Sequence, residues 1–384
     1  MRPPAGSQGK AAAGGAAPRL FHLDIELTER CDNDCVHCCI NLPAHDPRAA
    51  KRELNTGEWK RILDQAAALG ALSVRFTGGE PLLRDDFAEL YLHARRLGMK
   101  VMIFTNARRI THELAALLAR VPPLEKVEVS AYGMNRKTYE AVSRTPGSFA
   151  QFRRGLDRLL GQGVPFIVKS VLLPANRGEV DEFESWAMSL PWADGPPAVT
   201  LLLELRGRRD SARRNRLIES LRLPPEEVVR FLNRRRRVHR RDMMEFCRRF
   251  IAPPGERLFA CGAGRGGCAD AYGRLQPCLS LRAPGLGIDL RRASLKRALT
   301  SGFSGLRSIV ARDPAYIERC ARCFLKGLCE QCPARSWSES GTLDASVEYL
   351  CRVAHAQARD LGLLAAGEMG WEVRDWRGRI SALR

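Results

Sequence analysis

Four absences narrow the field. No apolar run approaches the roughly 20 residues that a membrane-spanning helix needs. The N-terminal stretch MRPPAGSQGKAAAGGAAP (1–18) lacks the leucine-rich run of a secretory signal peptide. Its Ala, Gly and Pro content reads instead as a disordered arm. The arginine-rich stretches RGRRDSARRNR (206–216) and RRRRVHRR (234–241) lack the interleaved aromatic rings that base stacking on single strands uses. Acids such as Glu204 and Asp270 have no diagnostic spacing, so no catalytic acid or base is named from the sequence.

What is present is more specific. At 384 residues and 45% apolar content, the chain is long enough for two domains or one large barrel with an appendage. The net charge is +19, and six arginines fall in each of the two basic stretches. Such stretches read either as a solvated surface or as a patch for an anionic partner, an acidic peptide or nucleic acid. Thirteen cysteines without a signal peptide argue for a cytoplasmic protein with reduced thiols, and clustered thiols there usually hold metal.

Strand-length apolar runs recur at 21–27, 72–77, 100–105, 126–131, 165–173 and 198–205, with helical patterns between them. The first helix opens on Asn55 with Glu58 three positions on, a capping-box pattern, and Gly70 closes it. Further helices fit 85–97, 111–120, 148–161, 178–190 and 225–237. Strands alternating with helices imply parallel pairing through right-handed crossovers. The fold class is therefore α/β, an open sheet or a barrel, with ligands at the carboxyl ends of the strands. From about residue 245 the pattern turns irregular, Gly-rich and Cys-rich, and APPG (252–255) reads as a turn or linker.

Cys31, Cys35 and Cys38 form C-x3-C-x2-C on the loop after the first strand. Three thiolates hold three irons of a [4Fe–4S] cube and leave the fourth open, whereas a structural zinc wants four protein ligands. The second strand ends in FTGGEPLLRDD. The pair of motifs resembles the radical S-adenosylmethionine (radical SAM) enzymes, over most of residues 21–205, and implies a partial (β/α)6 barrel. By that resemblance the backbone of Gly78, Gly79 and Glu80 meets the amino group of S-adenosylmethionine. Asn106, Ser130 and Arg144 are further cofactor candidates, Arg144 for the methionine carboxylate, which a planar guanidinium suits. The chain departs from the pattern at His37, where an aromatic residue is usual; His37 packs near the adenine or faces solvent. Cys39 reads as a small buried packing residue, and Cys247 as a buried thiol.

Downstream, Cys261, Cys268, Cys278, Cys320, Cys323, Cys329, Cys332 and Cys351 resemble a SPASM domain, which carries auxiliary clusters. Cys332 arrives one position early for that pattern, and the Cys320–Cys332 run alone would also suit zinc. Eight cysteines match two fully ligated [4Fe–4S] clusters. The family arrangement implies Cys261, Cys268, Cys278 and Cys332 on the first, and Cys320, Cys323, Cys329 and Cys351 on the second. Five segments follow: an arm (1–18), the partial barrel (19–240), a linker (241–258), the SPASM domain (259–355) and a tail (356–384).

The resemblance implies three [4Fe–4S] clusters and S-adenosylmethionine, which is cleaved to a 5′-deoxyadenosyl radical that takes hydrogen from a substrate. It implies an external one-electron reductant of flavodoxin or ferredoxin type, and a peptide or protein substrate. An acidic leader would meet the arginine-rich segments, with a separate leader-binding protein presenting it. Two relatives of that chemistry stay open, a sulfatase-maturase-like enzyme and a small-molecule cofactor or haem-pathway enzyme. A reading of another class is a zinc-stabilised nucleic-acid-binding protein.

Overall fold

The computed structural model describes residues 19–382, except for the side chains of residues 235–239. The expected N-terminal arm lies outside the described residues, as do the side chains of Arg235, Arg236 and Arg237.

Six parallel strands appear where the apolar runs place them. They are β1 (His22–Thr28), β2 (Ser73–Gly78), β3 (Lys100–Thr105), β4 (Val127–Ser130), β5 (Phe166–Val171) and the short β6 (Val199–Thr200). Alternation divides their side chains. Leu23, Ile25, Val74, Phe76, Val101, Ile103, Val127, Val129, Phe166 and Val168 face the helices and are buried. They pack on Trp59, Ile62 and Leu63 of the helix Thr56–Ala68 and on matching rows of the later helices. That first helix carries both halves of the capping box, Asn55 Oδ1 accepting from Glu58 N and Glu58 Oε2 from Asn55 N, each at 2.9 Å. Gly70 follows its last turn at φ +86°, a conformation that favours glycine.

The inner face of the strands is polar. Arg75 pairs with Asp24 at 2.7 Å and Lys169 with Glu128 at 3.0 Å. Phe104 lies between the two cations, with the Lys169 ammonium 3.0 Å and the Arg75 guanidinium carbon 4.7 Å from its ring centroid.

The Cys-rich region does not form a separate body. Strand β7 (Cys268–Ala269) pairs parallel with β1, matching Asp24 to Cys268. Strands β8 (Arg274–Gln276) and β9 (Ile288–Asp289) follow antiparallel, giving the order β9-β8-β7-β1-β2-β3-β4-β5-β6. The sequence places a linker at 241–258. A helix, Arg236–Phe250, runs through its first half, and only the stretch around residues 252–255 is irregular. The boundary expected at 355/356 falls inside the helix Glu348–Leu361. Beyond that helix, Leu363, Leu364 and Ile380 join Leu361 in a core with Phe324 and Leu325, so this segment is no loose tail. These differences share a cause: very short strands, and packing between segments far apart in the chain, leave no periodic trace in the sequence.

Candidate active site

The cysteine loop leaves the carboxyl end of β1 and is tied down on every side. Asp34 N and Val36 N donate to Ser143 O and Val142 O, both at 3.0 Å, joining the loop to the helix Arg136–Ser143. Asn33 N points at Cys31 Sγ at 3.4 Å, and Asn106 Nδ2 lies 3.9 Å from the same sulfur and 2.8 Å from Asp32 Oδ1. Cys35 is buried, and Cys31 and Cys38 are half-buried. Burial pushes the Cys31 thiol well up, and negative charge on Glu80, Cys35 and Cys38 adds to it. Burial followed by Cys38 does the same to Cys35. Cys31 and Cys35 are unfavourable here as thiolates unless cationic iron offsets them, so the donor set fits a sulfur-bound cube. Among the described residues no three His, Cys, Asp or Glu side chains converge as a single metal ion would need. A cube, with its ligands on separate corners, does not need that convergence.

The glycines at the end of β2 serve packing first. A Cβ on Gly78 would stand 2.1 Å from Thr28 O, and one on Gly79 would stand 2.2 Å from Arg30 O. Gly79 N donates to Thr28 O at 2.7 Å and Glu80 N to Arg30 O at 2.9 Å. Those two N–H groups are committed, so a ligand ammonium, itself a donor, would have to find carbonyl oxygens here. The Glu80 carboxylate is fully buried and turned inward. It accepts from Thr105 Oγ1 and Asn106 N at 2.8 Å and from Leu82 N at 3.1 Å. Burial raises its pKa to about 8. Glu80 thus welds the ends of β2 and β3 beneath the loop.

The structure brings Asn106 to the cluster loop but places Arg144 and Ser130 in other roles. Arg144, at φ +51° after its helix, spends its guanidinium on Asp34, including Nε to Asp34 O at 2.9 Å. Arg214 holds the other oxygen of Asp34. Ser130 lines a cavity of about 300 Å³ at the carboxyl ends of β4 to β6, with His37, Cys39, Lys169, Glu204 and Arg335. Cys39 is therefore a wall of this cavity rather than core packing. His37 stands edge-on to Tyr132 at 5.2 Å with its Nδ1 buried and unpartnered, and burial lowers its pKa to about 4. Burial also lowers Lys169, against the pull of Glu128. Arg335 pairs with Glu204 at 3.2 Å. Sequence reasoning missed Lys169, Tyr132 and Arg335. Only Lys169 left a signal, as a charge at an inward position of an otherwise apolar strand.

The auxiliary cysteines fall in two regions. Cys320, Cys323, Cys329 and Cys351 line one cavity, the four expected on the second cluster. Burial raises the Cys278 thiol, and Cys332 and Cys261 add to the rise as neighbouring charges. Cys268 lies in the adjoining strand. It is fully buried in β7 beside the Arg282–Glu26 ion pair, with Arg282 Nη2 4.0 Å from its sulfur. Burial and then Glu26 push its thiol well up. Cys268 thus sits in strand β7, paired across to Gln276, two residues before Cys278.

The basic stretch at 206–216 is largely engaged within the chain. Arg208 pairs with Glu29 and Asp270, Arg206 with Asp210, and Arg214 with Asp34 and with Cys35 O. Arg209 donates to Trp337 O at 3.1 Å and Ser338 O at 2.9 Å. Most of these guanidinium groups clamp the cysteine loop and the C-terminal region together rather than awaiting an anion.

Comparison with known proteins agrees with this geometry. The radical SAM superfamily model matches residues 25–187. The chain carries a radical SAM domain. The AdoMet-dependent heme synthase of Methanosarcina barkeri is 26% identical over 351 residues, 85% of this chain and 94% of that protein. The mycofactocin maturase MftC of Mycolicibacterium smegmatis is 36% identical over 165 residues, 43% of this chain and 40% of that one. The PqqA peptide cyclase of Xanthomonas euvesicatoria is 29% identical over 176 residues, 46% of each. These last two matches span less than half of either relative. Streptococcus suis SuiB bound to S-adenosylmethionine superposes with a TM-score of 0.58 at 16% identity, over 87% of this chain and 77% of that one. The anSMEcpe structure with bound AdoMet gives 0.63 at 13%, over 94% and 98%. At such identities the two structures show the fold, the radical SAM partial barrel with its Cys-rich extension. Among the described residues no helix is long and apolar enough to cross a membrane.

Proposed function

We propose that this radical SAM protein modifies a peptide or protein substrate, using one cluster on Cys31, Cys35 and Cys38 and two auxiliary clusters. When bound, the cube and S-adenosylmethionine supply a one-electron cleavage whose 5′-deoxyadenosyl product takes hydrogen from an unactivated carbon. The chain's own contribution is placement. Asn106 and the Asn33 amide hold the Cys31 sulfur, and the carbonyls around Gly78 and Gly79 are left to receive an amino group. The cavity lined by His37 and Cys39 receives the guest.

The observation that carries the substrate class is the size of that cavity. About 300 Å³ lies at the low end of small-molecule pockets, roughly 300–1,000 Å³, and suits one side chain inserted from a peptide. The PqqA peptide cyclase among the relatives is named for peptide chemistry. A second reading, a macrocyclic tetrapyrrole substrate, has the near full-length match to the heme synthase in its favour. The test is 5′-deoxyadenosine release by anaerobically reconstituted protein with dithionite. Precursor-like peptides bearing deuterium should stimulate release and pass label into the nucleoside. Label transfer from a tetrapyrrole carboxylate without peptide would move the conclusion to the second reading. Equal release by a Cys31/Cys35/Cys38 triple alanine variant would defeat both.

A further inference from the structure

The cavity lined by Cys320, Cys323, Cys329 and Cys351 has an outer layer that the cysteine spacing does not reveal. Arg319, His355 and Trp371 also line it. Arg319 Nη2 lies 4.0 Å from Cys351 Sγ, and its buried Nε has no partner. The same guanidinium pairs with Glu348 at 2.6 Å and lies 4.7 Å over the Trp371 ring, so its position is fixed from three sides.

His355 is fixed as firmly, and its tautomer follows from its partners. Gly370 N, an obligate donor, points at His355 Nε2 at 2.9 Å. Nε2 must then be the acceptor, and the ring proton sits on Nδ1. Nδ1–H faces Cys351 O at 2.7 Å and Cys351 Sγ at 3.5 Å, shared between the two.

Gly370 belongs to the stretch that the sequence reads as a tail. Its carbonyl accepts from Phe324 N at 3.3 Å, and Trp376 stacks on Phe324 at 6.3 Å. A Cβ on Gly370 would come within 2.7 Å of Cys323 Sγ. The strap that seats His355 therefore also rests directly on a second thiol of the same set.

We propose that Arg319 and His355 donate to the Cys351 thiolate of the second auxiliary cluster and raise its reduction potential, with the strap around Gly370 closing that site. This rests on the reading that the four cysteines hold a cluster. The physical basis is charge. Reduction adds one electron and breaks no bond, and a cation and an N–H dipole at a ligand sulfur favour the more negative state. Trp371 and the strap limit water, which would otherwise weaken both effects.

The experiment is an EPR-monitored redox titration of anaerobically reconstituted full-length protein, with iron counted per chain. Arg319→Met and His355→Phe should each move one auxiliary midpoint to more negative potential. Iron should stay near twelve per chain, and the other two signals should stay in place. Gly370→Ala, which crowds Cys323 directly, should speed chelator removal of about four irons while leaving the remaining eight. Unmoved midpoints at full iron content would overturn the proposal alone, as would equal shifts of all three signals. A parent protein that assembles only about four irons would overturn both the proposal and the auxiliary-cluster reading beneath it.

Discussion

His37 carries a buried ring nitrogen without a partner, between two cysteines of the loop. Burial lowers its pKa from 6.5 to about 4, so the folded chain binds the proton less readily than the unfolded one. The unfolded state therefore holds more protons across that window, and stability rises with pH through it. The stabilisation is full above about pH 6.5 and is lost as pH falls toward 4. The shift corresponds to about 3 kcal/mol as an upper bound. Urea midpoints of the metal-free protein between pH 4 and 7 should fall accordingly, and His37→Phe should flatten that slope. Cys268 offers a second test at this scale. Its sulfur lies 4.0 Å from Arg282 Nη2 within the sheet. Cys268→Ala should retain the full iron complement, whereas Cys261→Ala should lose about four irons. Loss of four irons from Cys268→Ala would return it to the ligand set.

At the scale of elements, what the sequence reveals depends on how local each cause is. The six parallel strands were legible because alternation and apolar runs are local, and so was the capping box at Asn55 and Glu58. The triplet on the loop and the four thiols from Cys320 to Cys351 were legible through spacing and a family resemblance. The site of Cys268 was not, because it depends on the register of β7 against β1, which pairs Asp24 near one end of the chain with Cys268 far along it. The arginines of 206–216 misled for a similar reason: charge count is visible in sequence, but partners such as Glu29, Asp34 and the Trp337 carbonyl are not. That segment acts as a clamp, which is testable. Arg214→Gln removes a donor from both Asp34 and Cys35 O. It should destabilise by about 1–3 kcal/mol and hasten iron loss from the loop, read by the bleaching rate under chelator. Arg213→Gln and Arg216→Gln, at positions outside these contacts, should stay within about 0.5 kcal/mol of the parent. Indistinguishable behaviour of all three variants would remove the clamp from the account.

Across the whole molecule, the partial barrel and the Cys-rich extension share one sheet and one core. Leu275, Leu290, Leu295, Leu299 and Phe303 pack in the same cluster as Leu23, Ile25 and Trp59. Each such side chain contributes about 1.5–3 kcal/mol when buried, so the five together supply roughly 8–15 kcal/mol as an upper figure. That equals the net stability of a typical domain, about 5–15 kcal/mol. Removing the extension would also strip β7 from β1 and leave an unpaired strand edge, a template for aggregation. Glu26, 1% exposed in the intact chain, would lose Arg282, its ion-pair partner. Residues 19–240 expressed alone should therefore be insoluble or lack a cooperative melt, although they include the whole cysteine triplet and the Gly78–Glu80 turn. Soluble yield and thermal unfolding beside the full chain decide the matter. A fragment that melts cooperatively near the parent temperature would mean the barrel is an independent unit and the shared sheet is incidental.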